Sequence, residues 1–163
     1  MSTPYVSTVD TPAGPFTIVA DDDAVLASGW TSTVDDLLSF VPISPRPQPR
    51  ADLGVVTKAT LAYHDGDLTA IDGIPVRQAG GPFLAHAWDV LRTVPAGEPV
   101  TYTEFAELAG RPAAVRAAAM ACARNAAALF VPCHRVLRLD GSLGGFRWGL
   151  DVKRWLLAHE TAA

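Results

Sequence analysis

Residues 5–9, 16–20 and 25–30 are short runs rich in β-branched and aromatic side chains, separated by Gly14-Pro15 and by Asp21-Asp22-Asp23. Runs of this kind, bounded by turn formers, predict antiparallel strands, with the acidic triplet as a solvated hairpin tip. Ser32 and Asp35 stand at the spacing of an N-terminal cap for a helix through Leu37, Leu38 and Val41. Pro42, Pro45, Pro47 and Pro49 then remove backbone donors at close intervals, so residues 42–50 are expected to form a loop. A helix over 51–64 and a short strand over 71–77 complete a first half that concentrates no chemistry and reads as scaffold.

Beyond Gly80-Gly81, the candidate boundary, the apolar period becomes helical: Phe83, Ala87, Val90 and Leu91 share a face, with Trp88 on its flank and His86 as a surface or internally satisfied histidine. Thr101-Tyr102-Thr103-Glu104 is a capping box opening a helix through Phe105 and Leu108, which Gly110 closes. Pro112 suits the first position of another helix, reaching about Arg124. Two short helices joined by a tight glycine-containing turn predict a helix-turn-helix. On the second, Val115, Ala118, Ala119 and Cys122 form an apolar stripe, whereas Ala113, Ala114, Ala117, Ala121 and Ala123 leave a bare face from which Arg116 projects. Alanine is simply a good helix former. A smooth face also admits a backbone into a narrow groove, with one long cation able to enter a base stack. Near the end, Asp140-Gly141 predicts a turn, residues 144–149 a glycine-rich loop, and residues 150–159 an amphipathic helix with Val152, Trp155 and Leu156 inward.

A length of 163 residues with 49% hydrophobic content supports one domain or two small lobes. The two cysteines fit neither a CxxC nor a Cys/His ligand spacing, so no zinc site or disulfide framework is expected and the thiols should be reduced, as in a cytoplasmic protein. No apolar run approaches a membrane span, and the N-terminus lacks a signal-peptide profile. The formal charge of −4 hides an asymmetry: residues 1–81 carry −6 and residues 82–163 carry +2, so any phosphate-facing surface is expected in the second half.

Reactive chemistry centres on Val131-Pro132-Cys133-His134-Arg135-Val136. A cysteine is a nucleophile as thiolate, and an adjacent His and Arg are side chains that lower a thiol pKa. A cysteine after an apolar run is equally often a small core residue, so the hexapeptide alone leaves a reactive thiol and a buried one both open.

With Trp88, Thr101-Tyr102, Ala114-Val115-Arg116-Ala117, Asn125 eight residues before the thiol, the loop at 144–149 and Leu156-Leu157-Ala158-His159-Glu160, the chain resembles the O6-alkylguanine-DNA alkyltransferases over nearly all of residues 82–163 and more loosely before them. The Ala-Val-Arg-Ala and Arg-Trp-Gly wording is nearest the bacterial adaptive-response subgroup. Pattern and resemblance together predict an α/β protein: a small antiparallel sheet lobe with helices at 1–79, then an all-α, winged-helix-like helix-turn-helix lobe at 80–163 carrying the active-site loop.

The resemblance implies that Cys133 accepts the alkyl group, that His134 takes its proton through a water, and that Glu160 orients and charges His134. It further implies that Asn125 braces the loop and that Tyr102 rotates the phosphate and hydrogen-bonds guanine N3. Arg116 would fill the space of the flipped base, with Ala114, Ala117, Thr101 and Arg135 on the DNA side. Val136, Phe146, Arg147 and Trp148 would form the base pocket, the carbonyls of Cys133 and Val136 accepting from the guanine amino group. The implied partner is double-stranded DNA containing O6-alkylguanine, bound through the minor groove by a monomer, with one irreversible transfer per molecule and no cofactor. Phe146 stands where the family often has tyrosine, and Arg147 and Trp148 replace smaller residues of some relatives, which predicts slower transfer of benzyl groups. The N-terminal zinc ligands of some relatives have no counterparts. Alternatives are a non-catalytic sensor of alkylated bases, whose relatives lack the cysteine, a DNA-binding regulator, which would need a polar reading helix, and a cysteine hydrolase, which only the Cys-His pair favours.

Overall fold

The computed structural model describes residues 3–162. The chain forms two compact units: residues up to Arg77 together with Ala126–Phe130, and Gln78–Asn125 together with the chain from Val131 onward. The division therefore differs from a single cut at residue 79/80, because Ala126–Phe130 returns to the first unit.

In the first unit, β1 (Tyr5–Thr11), β2 (Gly14–Ala20) and β3 (Val25–Gly29) form an antiparallel meander. The first turn is Pro12-Ala13, not Gly14-Pro15, since Thr11 already pairs with Gly14. The Thr11 hydroxyl closes that turn by accepting from the Ala13 N–H and donating to the Gly14 carbonyl, while Gly14 takes a φ of 113° that favours glycine. Residues 16–20 are buried in succession because β2 is a central strand covered on both faces.

The helix expected after Ser32 shrinks to α1 (Asp35–Leu38), and Ser32 does not cap it. The flanking threonines brace the approach to it instead: Thr31 donates to the Asp36 carboxylate, and Thr33 accepts from the Asp35 N–H. Within the expected proline loop, β4 (Gln48–Pro49) pairs parallel to β1. Gln48 and Arg50 supply the N–H groups, to Pro4 and Val6, so Pro49 sits between them where no donor is needed. The next helix, α2 (Val55–His64), begins later than residue 51, after Asp52 accepts from the Gly54 N–H and Gly54 adopts a φ of 71°. Residues 71–77 form turns and one bridge, Val25 to Val76, rather than a strand. Ala126–Phe130 is held by Ser28, whose N–H and hydroxyl donate to the carbonyls of Ala126 and Ala128, at 2.8 and 2.7 Å. Phe130 packs on Phe16 with ring centroids 6.3 Å apart.

The second unit holds α3 (Pro82–Leu91), β5 (Val100–Thr101), α4 (Tyr102–Leu108), α5 (Val115–Ala123), a 3-10 turn (Cys133–Arg135), β6 (Val136–Leu137) and α6 (Leu150–Thr161). It is helical apart from the parallel β5–β6 ladder, Val100 opposite Val136 and Thr101 opposite Leu137. The capping box forms: Thr101 Oγ1 accepts from the Glu104 N–H at 3.1 Å and Glu104 Oε1 from the Thr101 N–H at 2.9 Å. Gly110, at φ 83°, ends α4 with its N–H on Glu107 and that of Arg111 on Ala106, a double C-terminal closure that turns the chain toward α5. α5 starts at Val115 rather than Ala113. Trp88 is buried rather than flanking, and its indole N–H donates to the Ala121 carbonyl at 2.9 Å. Ala121 consequently lies in the core and not on the bare face. Gly80 is required beneath that indole, because a Cβ there would lie 2.9 Å from the ring.

Candidate active site

Cys133 opens the 3-10 turn and is partly exposed, with Val131, Pro132 and His134 buried around it. Its sulfur faces a cavity of about 450 Å³, walled by Tyr102 from α4, by Ala119, Cys122 and Ala123 of α5, by Asn125, and by Gly145-Phe146-Arg147. Of the expected pocket residues, Phe146 and Arg147 line this cavity, while Val136 and Trp148 do not. The Val136 side chain is fully buried, and its carbonyl already accepts from Lys153 Nζ at 2.9 Å.

Beside the thiol lies a buried charge cluster. His134 Nε2 meets Glu160 Oε2 at 2.7 Å, and Arg135 grips the same carboxylate with Nε on Oε1 at 3.0 Å and Nη2 on Oε2 at 2.9 Å. Arg135 also donates to the Val94 carbonyl at 2.8 Å and is 3% exposed. Its expected place on the DNA side is therefore corrected: a forked guanidinium matched to a carboxylate is turned into the protein. Burial raises the Glu160 pKa, but the hydrogen bonds and charges of His134 and Arg135 outweigh it and hold the acid well below the usual range. Burial lowers the His134 pKa more than Glu160 raises it, so the imidazole is neutral near pH 7. With Nε2 on Glu160, its Nδ1 is buried and has no hydrogen-bond partner among the described residues.

The thiol itself is raised by burial, an effect that a hydrogen bond from Asn125 and the charge of Lys153 offset only in part. The cation serving the thiol is thus Lys153, twenty residues away in sequence, and not the adjacent Arg135. Asn125 also donates to the Val131 carbonyl at 2.7 Å and accepts from Gln78 Nε2 at 2.9 Å, which ties the approach to Cys133. Burial, then the proximity of Cys122 and Cys133, pushes the Tyr102 phenol up to about 12. It remains a hydrogen-bond donor across the physiological range. Arg116 is exposed in the first turn of α5, with Ala114 and Ala117 half-buried beside it, whereas the Thr101 hydroxyl is occupied in the capping box.

Two residues escape a reading by spacing. Cys122, expected as an ordinary core cysteine, lines the same cavity as Cys133. Lys153 is fully buried in α6 on an inward stripe with Leu156 and Glu160, where Val152 and Trp155 were expected. Charged residues at 153 and 160 on one helical face with Leu156 were the available signal.

Residues 82–162 match the family model "6-O-methylguanine DNA methyltransferase, DNA binding domain". The chain is 40% identical over 153 residues to a methylated-DNA–protein-cysteine methyltransferase of Mycolicibacterium paratuberculosis, covering 94% of this chain and 90% of that one. It is 46% identical over 103 residues to the bifunctional transcriptional activator/DNA repair enzyme Ada of Escherichia coli, of which it spans 28%. The crystal structure of Mycobacterium tuberculosis OGT in complex with DNA superposes with a TM-score of 0.83 at 29% identity, covering 97% of this chain and 93% of that one. A thiol facing a cavity beside a buried His-Glu-Arg cluster, on a chain alike over 94% of its length, places this protein in the methylated-DNA–protein-cysteine methyltransferase family.

Proposed function

We propose that this protein repairs DNA by accepting the alkyl group of O6-alkylguanine onto Cys133, once per molecule. The observation that carries the reading is the pairing of a cavity-facing thiol with a buried imidazole whose Nδ1 is unpartnered among the described residues and whose other nitrogen is fixed on Glu160. A nucleophile, a base and a group that orients the base are the parts such a transfer needs. Arg135 completes the set by neutralising Glu160, which lets His134 stay uncharged and able to accept a proton.

In the proposed reaction the Cys133 proton passes through one water to His134 Nδ1. The thiolate attacks the saturated carbon, the S–C bond forms, and the C–O6 bond breaks with its electron pair going to the guanine. The guanine then takes up a proton while His134 gives the one it accepted back to water, and Cys133 is left as a thioether. Charge gathers on the leaving base, so the Tyr102 hydroxyl and the N–H groups of the 144–149 loop act by donating to it. The base reaches the cavity by flipping, which costs a few kcal/mol and least at a mispaired lesion.

The helix pair α4–α5 enters the minor groove, with Arg116 occupying the space the base leaves and Ala114 and Ala117 allowing close approach. Recognition is nearly independent of sequence, and the protein acts as a monomer. The sulfur of Cys133 separates this function from that of a non-catalytic sensor. A Cys133→Ser variant tests it: an oxygen is far poorer at displacement from saturated carbon, so transfer from O6-methylguanine DNA should fall below detection while binding of that DNA persists. Transfer at an undiminished rate would contradict the role of the thiol.

A further inference from the structure

Lys153 is fully buried, yet no carboxylate lies within ion-pair reach of it among the described residues. Its three ammonium protons instead meet three carbonyls: Val136 at 2.9 Å, Leu143, and Gly145 at 3.4 Å. Those carbonyls belong to β6, which directly follows the Cys133–Arg135 turn, and to the segment whose Gly145 lines the cavity. One side chain of α6 thus fastens the cavity's loop wall to the strand leaving the nucleophile.

Carbonyl dipoles satisfy an ammonium's hydrogen bonds, but its net charge still favours a negative neighbour in a low-dielectric site. The ionisable neighbours are Cys133 and Cys122, with Tyr102 of α4, the like-charged Arg138 beyond β6, and His134 and Arg135 of the 3-10 turn around them. Among these, Tyr102 ionises only near 12, Cys122 is raised well above the usual thiol range, and Arg135 is committed to Glu160. Burial raises Cys133 as well, but less than Cys122, because the Asn125 hydrogen bond and the Lys153 charge both oppose it, so Cys133 is the better placed of the two thiols to supply the missing charge.

We propose that Lys153 is a positioning residue for alkyl transfer: its ammonium holds the loop wall in register and stabilises Cys133 as the thiolate that attacks. The role rests on Cys133 being the acceptor, and its test uses no DNA, so that failure of the repair reading and failure of this one are separable. The rate at which iodoacetamide modifies Cys133, followed on its own peptide by mass, is measured against pH. Lys153→Met, which keeps length and removes charge, should raise the midpoint by about one pH unit or more, the usual effect of an opposite charge at close range. Lys153→Arg should keep it near the wild-type value. An unchanged midpoint in Lys153→Met overturns the proposal, because a purely structural lysine would not move it.

The wild-type protein gives a second readout should the variants fail to fold. Its lysines are Lys58 and Lys153, and Lys58 is exposed. In protein with isotope-labelled lysine, the Lys153 resonance should step at the pH where Cys133 ionises and lose that step after iodoacetamide treatment. A Lys153 titration indifferent to Cys133 overturns the proposal equally.

Discussion

At the scale of single residues, the site depends on one carboxylate serving two partners. Glu160 fixes the imidazole that takes the proton in the proposed transfer and neutralises the guanidinium that would otherwise charge the pocket. Removing one member of a buried charge cluster leaves the others uncompensated, at a cost of about 3–5 kcal/mol. Its pH signature follows from the directions of the shifts. His134 binds a proton less readily folded than unfolded, so stability declines as the pH falls below its ordinary value of 6.5. Glu160 is shifted down on folding, so its contribution is complete above 4.5 and drains away as the pH falls toward the folded value. The melting temperature should therefore decline gently below about 6.5 and more steeply below about 4.5. Glu160→Gln should be less stable at pH 7 and lack the steeper limb; parallel curves for the two proteins would show that Glu160 is not held as described.

Secondary structure followed local chemistry wherever that chemistry was self-contained. The capping box of α4 and the Gly110 turn were readable because the residues that satisfy each backbone group lie within a few positions of it. The strands of the meander were readable for the same reason, though the first turn moved to Pro12-Ala13 because Thr11 closes it with its own hydroxyl. β4 was hidden because its pairing depends on β1, some forty residues away, and on Pro49 falling between two donors. Arg135 and Lys153 were hidden because a cation looks the same in sequence whether its head reaches solvent or a buried acceptor. The Glu160 partnership came from family likeness, since no periodicity links residues 134 and 160. Thr101 shows how an element-level role can be separated from a surface one. Thr101→Ala should lower stability by about 1 kcal/mol, a melting shift of roughly 2–4 °C in a chain this long. An unchanged melting temperature would mean that the cap contributes nothing.

For the whole molecule, burial refines the charge argument made from sequence. Of the nine cations in residues 82–163, Arg135 and Lys153 lie in the core, as does Glu160 among the seven acids. Seven cations and six acids remain outside it, so affinity for undamaged duplex should be modest and salt-sensitive. In the proposed function, specificity then falls to the cavity and the thiol. The interior charges lie instead around Cys133, where the proposed transfer leaves a thioether. Among the described residues no helix is long and apolar enough to cross a membrane. The proposed reaction is a single transfer to a single atom, which peptide mass mapping reads after incubation with excess duplex carrying O6-methylguanine. The predicted result is one methyl group per chain, on Cys133, with guanine restored in equal amount and no further reaction on adding fresh DNA. Methyl on Cys122, more than one repaired guanine per protein, or no adduct would contradict it.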